Sequence, residues 1–118
     1  MTNQRKDFTI RIDHMLEAIT GIGLALADKD ITELSTDWVR RSAVERGFEI
    51  ISEASRHLPD DLKATEPDIP WKDIAGIGNI LRHDYDGVQM AMLQGTARND
   101  LPLLKAALRR MNERLRAF

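Results

Sequence analysis

An all-α protein, folded as an up-and-down four-helix bundle with an additional short helix, is what this sequence predicts. Three observations point there. Apolar residues recur at the helical spacing i, i+3, i+4 and i+7 through most of the chain. No stretch reads as a strand, and no internal repeat is present. The helical stretches are joined by short links, which suits a bundle of neighbouring helices. At 118 residues, with 42% hydrophobic and 31% charged side chains, the chain fits one domain over residues 1–118 around one core. Residues 1–6 are expected as a flexible N-terminus.

The first helix is predicted from about Phe8 to Ala27, on the stripe Phe8, Ile12, Met15, Leu16, Ile19, Ile22 and Leu26. Gly21 and Gly23 interrupt it, which predicts close helix approach or fraying there. Asp28-Lys29-Asp30 opens a polar connection, and Ser35 or Thr36 offers an N-cap for the second helix. That helix runs from about Asp37 to His57. Val44, Phe48, Ile51 and Leu58 are its large apolar positions, and the small Ala43, Gly47 and Ala54 beside them permit close packing. Glu45, Glu49 and Glu53 bring like charges together at i,i+4 spacing, and opposed arginines are needed to neutralise them.

Leu58 to Pro70 is the long irregular link, with one helical turn expected at Asp60–Lys63. The central helix begins around Pro70-Trp71, where a proline is tolerated, and Gly87 stops it. Met90, Leu93 and Ala97 then suit a short helix. Asn99 or Asp100 caps the last one, with Pro102 in its first turn and the stripe Leu101, Leu104, Leu108, Met111 and Leu115. Trp38 and Trp71 are read as packing anchors.

Composition excludes several classes. No apolar run approaches the roughly 20 residues needed to span a bilayer. The N-terminus leads into no signal-type segment. With no cysteine, disulfide and thiol chemistry are excluded and zinc loses its commonest ligand. A cytoplasmic protein is the simplest fit. A net charge of −2 does not suit a globally basic nucleic-acid binder, yet the C-terminal segment is cationic. Arg98, Lys105, Arg109, Arg110, Arg114 and Arg116 stand there against Asp100 and Glu113. That segment reads as a solvated helix whose late cations complement its dipole, with a polyanion-facing surface as the alternative.

The chemistry-bearing stretch is Trp71–Val88, WKDIAGIGNILRHDYDGV. Asn79, Arg82, His83 and Asp86 recur there at helical spacing, with Ile74, Ile77 and Leu81 on the opposite side. His83 is the side chain that titrates near neutrality and so can move protons in phosphodiester cleavage, while a neighbouring cation stabilises charge on phosphate. Asn79 is placed to orient the imidazole or bond a phosphate oxygen, and Asp86 to hold the opposite ring nitrogen. Spacing alone fits equally a polar helix face with an exposed histidine. His14 reads as exposed, and His57 as a helix C-terminal cation. Glu49 and Glu53 lack paired histidines, so no metal or other cofactor is expected; Glu53 suits a supporting role through hydrogen bonds.

Three runs carry a resemblance to a known family: FEIISEA (Phe48–Ala54), EPDIPWKDIAG (Glu66–Gly76) and NILRHDYDGV (Asn79–Val88), followed by NDLPLL (Asn99–Leu104). From about Phe8 to Leu115 the chain resembles the HepT-like branch of the HEPN superfamily. The resemblance implies a HEPN-like dimeric bundle with a cleft between two central helices. It further implies metal-independent RNA cleavage, a toxin role in a type II toxin–antitoxin pair, and an MNT-type nucleotidyltransferase as the neutralising partner.

The family motif is an arginine, four residues, a histidine, one residue and a tyrosine. His83 matches the histidine, Asn79 the polar residue after the arginine, and Tyr85 the tyrosine, where the partner attaches AMP in some systems. The arginine position holds Gly78. Arg82 and Arg46 are the candidate replacements. The alternative implied by Gly78 is a catalytically weak or silent helical protein that docks the nucleotidyltransferase and accepts AMP on Tyr85.

Overall fold

The structure, a computed structural model, describes residues 3–82 and 88–117, with backbone alone for residues 88–91. Its elements are α1 (Asn3–Leu26), a 3-10 turn (Ile31–Leu34), α2 (Trp38–Arg56), α3 (Asp60–Lys63), α4 (Trp71–Arg82), α5 (Val88–Gly95), a π turn (Thr96–Asp100) and α6 (Leu101–Arg116). All of these are helical, as the spacing predicts. The molecule is elongated, 47 × 23 × 22 Å.

α1 lies along α2 and also touches α6, while α4 packs on the other flank of α2. The predicted stripes supply the core. Ile12, Met15 and Ile22 of α1 meet Val44, Phe48 and Ile51 of α2, with Ile74 and Ile77 of α4 and Leu104, Leu108 and Met111 of α6. Each such side chain stabilises the fold by about 1.5–3 kcal/mol relative to an exposed position.

The close helix approach falls at Gly47, not at Gly21 or Gly23. A Cβ on Gly47 would stand 2.5 Å from Ile22 Cγ1, whereas one on Gly21 or Gly23 would meet nothing within 4 Å. α1 starts at Asn3. Thr9 adds a hydroxyl bond to the Lys6 carbonyl. The helix ends on Ala27 and Asp28, both with positive φ, 47° and 65°.

The N-cap of α2 is Asp37, whose Oδ1 accepts from the Arg40 N–H at 3.1 Å. Ser35 and Thr36 are one or two positions too early, because the 3-10 turn extends the link to Leu34. Trp38 is 70% exposed and is no packing anchor. Trp71 is one: its indole N–H lies 3.1 Å from the carbonyls of both Lys63 and Glu66.

The expected break before the last helix is absent. The Leu101 N–H donates to the Thr96 carbonyl, five residues back, so α5 passes into α6 through a π turn. Pro102 explains it. Lacking an N–H and crowding the carbonyl four residues earlier, proline disfavours a regular α turn, and a wider turn relieves the crowding. The 3-10 turn is held to this rod by Gln94, whose Oε1 accepts from the Ile31 N–H at 2.6 Å, and by an Arg98–Asp30 pair.

Most of the C-terminal cations are committed within the chain. Arg110 and Arg114 clamp Glu66, and Arg116 reaches Asp13 at 3.3 Å. With Arg98 on Asp30, four of the six are paired. The cationic tail thus ties the rod to α1 and to the proline-bearing link.

Candidate active site

The site is built where the last turns of α2 lie against α4. Ser52, fully buried on α2, donates its hydroxyl to the Ala75 carbonyl at 2.8 Å and accepts from the Gly78 N–H at 3.0 Å. One side chain thereby fixes the two helices in register. Gly78 makes this possible, since a Cβ there would stand 3.1 Å from Ser52 Oγ and 3.3 Å from Arg56 Nη2.

Arg56 Nη2 reaches Glu53 Oε2 at 3.1 Å, and His57 Nε2 lies 3.0 Å from Glu53 Oε1. His57 is also the C-cap residue of α2, the position read for it in the sequence. The His57 hydrogen bond, then the charge of Arg56 and a smaller pull from Arg82, hold the Glu53 carboxyl below the usual carboxylate range. One carboxylate therefore sits among two guanidiniums and an imidazole at the end of two helices.

Of the residues singled out in the sequence, Asn79 and Arg82 are exposed on one face of α4, one turn apart. Glu53 is in the cluster. Arg46 is not: it lies ten residues before Arg56 on α2, about 15 Å away along the axis. There it pairs with Glu49 at 3.4 Å. With Arg11, His14, Glu49 and Glu53 it lines a cleft of about 160 Å³ between α1 and α2. His83, Tyr85 and Asp86 lie outside the described residues.

Arginines of the same helix also neutralise the carboxylate row of α2. Arg41 serves Glu45, Arg46 serves Glu49 and Arg56 serves Glu53. Arg56 belongs to no motif in the sequence and stands 22 positions before Gly78. The signal that marks it is a paired absence of bulk, Ser52 facing Gly78, which leaves room for the guanidinium beside residue 78.

A larger groove of about 340 Å³ runs along the other flank of α4, lined by Ile77, Ile80, Met92 and Leu93 with Asp73 and Thr96 at its edge. Its walls are mainly apolar and suit packing or an apolar ligand better than a polyanion. Among the described residues no three His, Asp or Glu side chains gather as a metal site. No helix among them is long and apolar enough to cross a membrane.

Comparison with known proteins adds a family. A model described as ribonuclease HepT-like matches residues 15–111. The chain is 32% identical over 113 residues to "Probable ribonuclease HepT" of Thermococcus cleftensis, covering 96% of this chain and 100% of that protein. It is 33% identical over 101 residues to a "Putative RNase" of Methanocaldococcus jannaschii, covering 86% and 93%. A second protein of that organism, named for both gamma-glutamylcyclotransferase and RNase, is 34% identical over 111 residues; these span 94% of this chain but 50% of that protein. No solved structure matches significantly.

Proposed function

This chain belongs to the HepT-like ribonuclease family, and on that premise we propose that it is a metal-independent RNA endonuclease and the toxin of a type II toxin–antitoxin pair. It acts in the cytoplasm as a homodimer, with RNA entering between two facing α4 helices. An MNT-type nucleotidyltransferase is the antitoxin, and Tyr85 is the acceptor of AMP.

The observation that carries the reading is the end of α4. Asn79 and Arg82 face solvent together, immediately before His83 in the chain, with the Arg56–Glu53–His57 cluster at the end of α2. The chemistry such a set supports is simple. His83 takes the proton of a ribose 2′-hydroxyl, and the oxygen attacks the adjacent phosphorus. The bond from phosphorus to the 5′ oxygen breaks, and that oxygen takes a proton from the imidazolium or from water. The products are a 2′,3′-cyclic phosphate and a 5′-hydroxyl. Arg82 and Asn79 hold the phosphate oxygens as negative charge grows on them.

Gly78 at the motif's arginine position favours a second reading, in which the protein keeps the fold and the nucleotidyltransferase partner but does not cut RNA. Expression without the partner decides between them. Wild type slows growth and degrades RNA, whereas His83→Ala lowers cleavage about 100-fold or more. Equal growth and intact RNA in both strains remove the nuclease and leave the binding protein.

A further inference from the structure

We propose that a second cation joins Arg82 in holding the scissile phosphate: Arg56, delivered from α2 across the gap left by Gly78, with Glu53 as its positioning residue. The inference rests on the ribonuclease reading and names a residue that the reading does not contain.

The geometry is specific. Arg56 Nη2 stands 3.3 Å from where a Cβ of residue 78 would be, and the same nitrogen meets Glu53 at 3.1 Å. A guanidinium thus lies against the backbone of α4 at the residue preceding Asn79. Residues 78 and 82 are i,i+4 and share a helix face. Arg56, lying against residue 78, and Arg82 therefore stand at successive turns of α4.

Three features make this more than a surface pair. The Ser52 hydroxyl pins α2 to α4 one turn before Arg56, so the root of the side chain is fixed relative to α4. The ion pair with Glu53 is a single-point contact, and a guanidinium carries five N–H donors. Glu53 is bonded to His57 through its other oxygen, so the carboxylate that steers Arg56 is itself held in place. Arginine also suits the task better than lysine, because its planar fork matches two phosphate oxygens at once. Gly78 then has a physical role: any side chain at that position competes with the guanidinium for the same space.

The test measures cleavage of a short, unstructured single-stranded RNA, and binding of that RNA in the His83→Ala background, where it stays intact. Arg56→Gln is expected to lower cleavage about 100-fold or more. It should also flatten the dependence of log affinity on log salt by about 0.7 for each phosphate that is no longer neutralised. Arg40→Gln, a cation at the far end of α2, should leave the slope unchanged. The double variant Arg56→Gln/Gly78→Arg returns a cation to the same place from α4, and cleavage should recover at least in part.

Cleavage and salt slope at wild-type level in Arg56→Gln overturn the inference while leaving the ribonuclease intact. A folded double variant, with unchanged near-UV circular dichroism, that stays as inactive as Arg56→Gln also overturns it. Undiminished cleavage by His83→Ala overturns the catalytic reading itself, and the salt slope, then measured on the 2′-deoxy analogue of the same strand, which has no 2′-hydroxyl to attack, still decides whether Arg56 holds phosphate.

Discussion

Two carboxylates in this protein each hold two side chains from one helix, and they do opposite things. Glu66, on the proline-bearing link, has 8% of its side chain exposed; Arg110 Nη2 donates to it at 2.6 Å and Nε at 3.2 Å, with Arg114 closing from the next turn of α6. Glu53, on α2, has 64% of its side chain exposed and meets Arg56 and His57 once each. Two guanidiniums hold the first and one guanidinium with an imidazole the second, and the burial differs more still. Where the carboxylate is buried, charge-assisted bonds are strong and leaving one end unpaired is costly, so the cluster is a structural latch. Where it faces water, pairing is weak and Arg56 stays within reach of an incoming anion.

The contrast can be broken from its stronger side first. Glu66→Ala should destabilise the fold by about 2–4 kcal/mol, read by urea denaturation, because it frees the link from α6. RNA cleavage at a temperature where the variant is folded should be unchanged. A loss of stability equal to that of Glu53→Ala would erase the distinction.

Acid sharpens it. The Arg110 hydrogen bonds hold the Glu66 carboxyl below its ordinary value of about 4.5, with Arg114 assisting against the opposing effect of burial. A depressed folded-state pKa contributes stability that is complete above the unfolded value and fades as pH falls through the folded one. Thermal stability should therefore drop on acidification below about pH 4.5. Glu66→Gln should be less stable at pH 7 and show a shallower fall; an identical slope would mean that other carboxylates govern the acid limb.

Gly78→Ala should have a smaller effect. Alanine gains about 1 kcal/mol of helix propensity over glycine, but crowding a packed site costs about 1–3 kcal/mol. Ser52 is held by two hydrogen bonds and cannot easily retreat. A net loss of roughly 1 kcal/mol in urea denaturation is expected, and a stabilised variant would show that the site relaxes freely. Smallest of all, Glu53→Gln should shift Tm by no more than about 2 °C. A larger drop would make the exposed cluster a second latch.

The apolar stripes were legible because burial imposes a period that local sequence reports directly. Ile12 and Met15, Phe48 and Ile51, and Leu104 and Leu108 all reach the core where the spacing placed them. What escaped depended on partners far away in the chain. Asp30 meets Arg98 across 68 positions, and Arg110 meets Glu66 across 44, so a basic helix that looked solvated is largely tied down. Arg56 escaped for a related reason. Its neighbours on α2 explain its charge, and its place over α4 depends on a glycine in another helix. Trp38 departs from expectation because a large aromatic near a cap favours the interior by composition alone, and here it stands in solvent.

The π turn at Thr96–Asp100 sets the phase of everything before it. One residue beyond an α turn rotates the preceding helix by about 100° relative to the following one. That offset lets Leu93 enter the core and Gln94 meet the Ile31 N–H while Leu101 and Leu104 keep their own buried face. Removing any one residue from Ala97 to Asn99 would take out the extra residue of the wide turn and undo that offset. It would also turn Leu93 and Gln94 away from their partners. In this segment residue count matters more than residue identity: substitutions at the exposed Arg98 and Asn99 leave the phase intact, and a single deletion there does not.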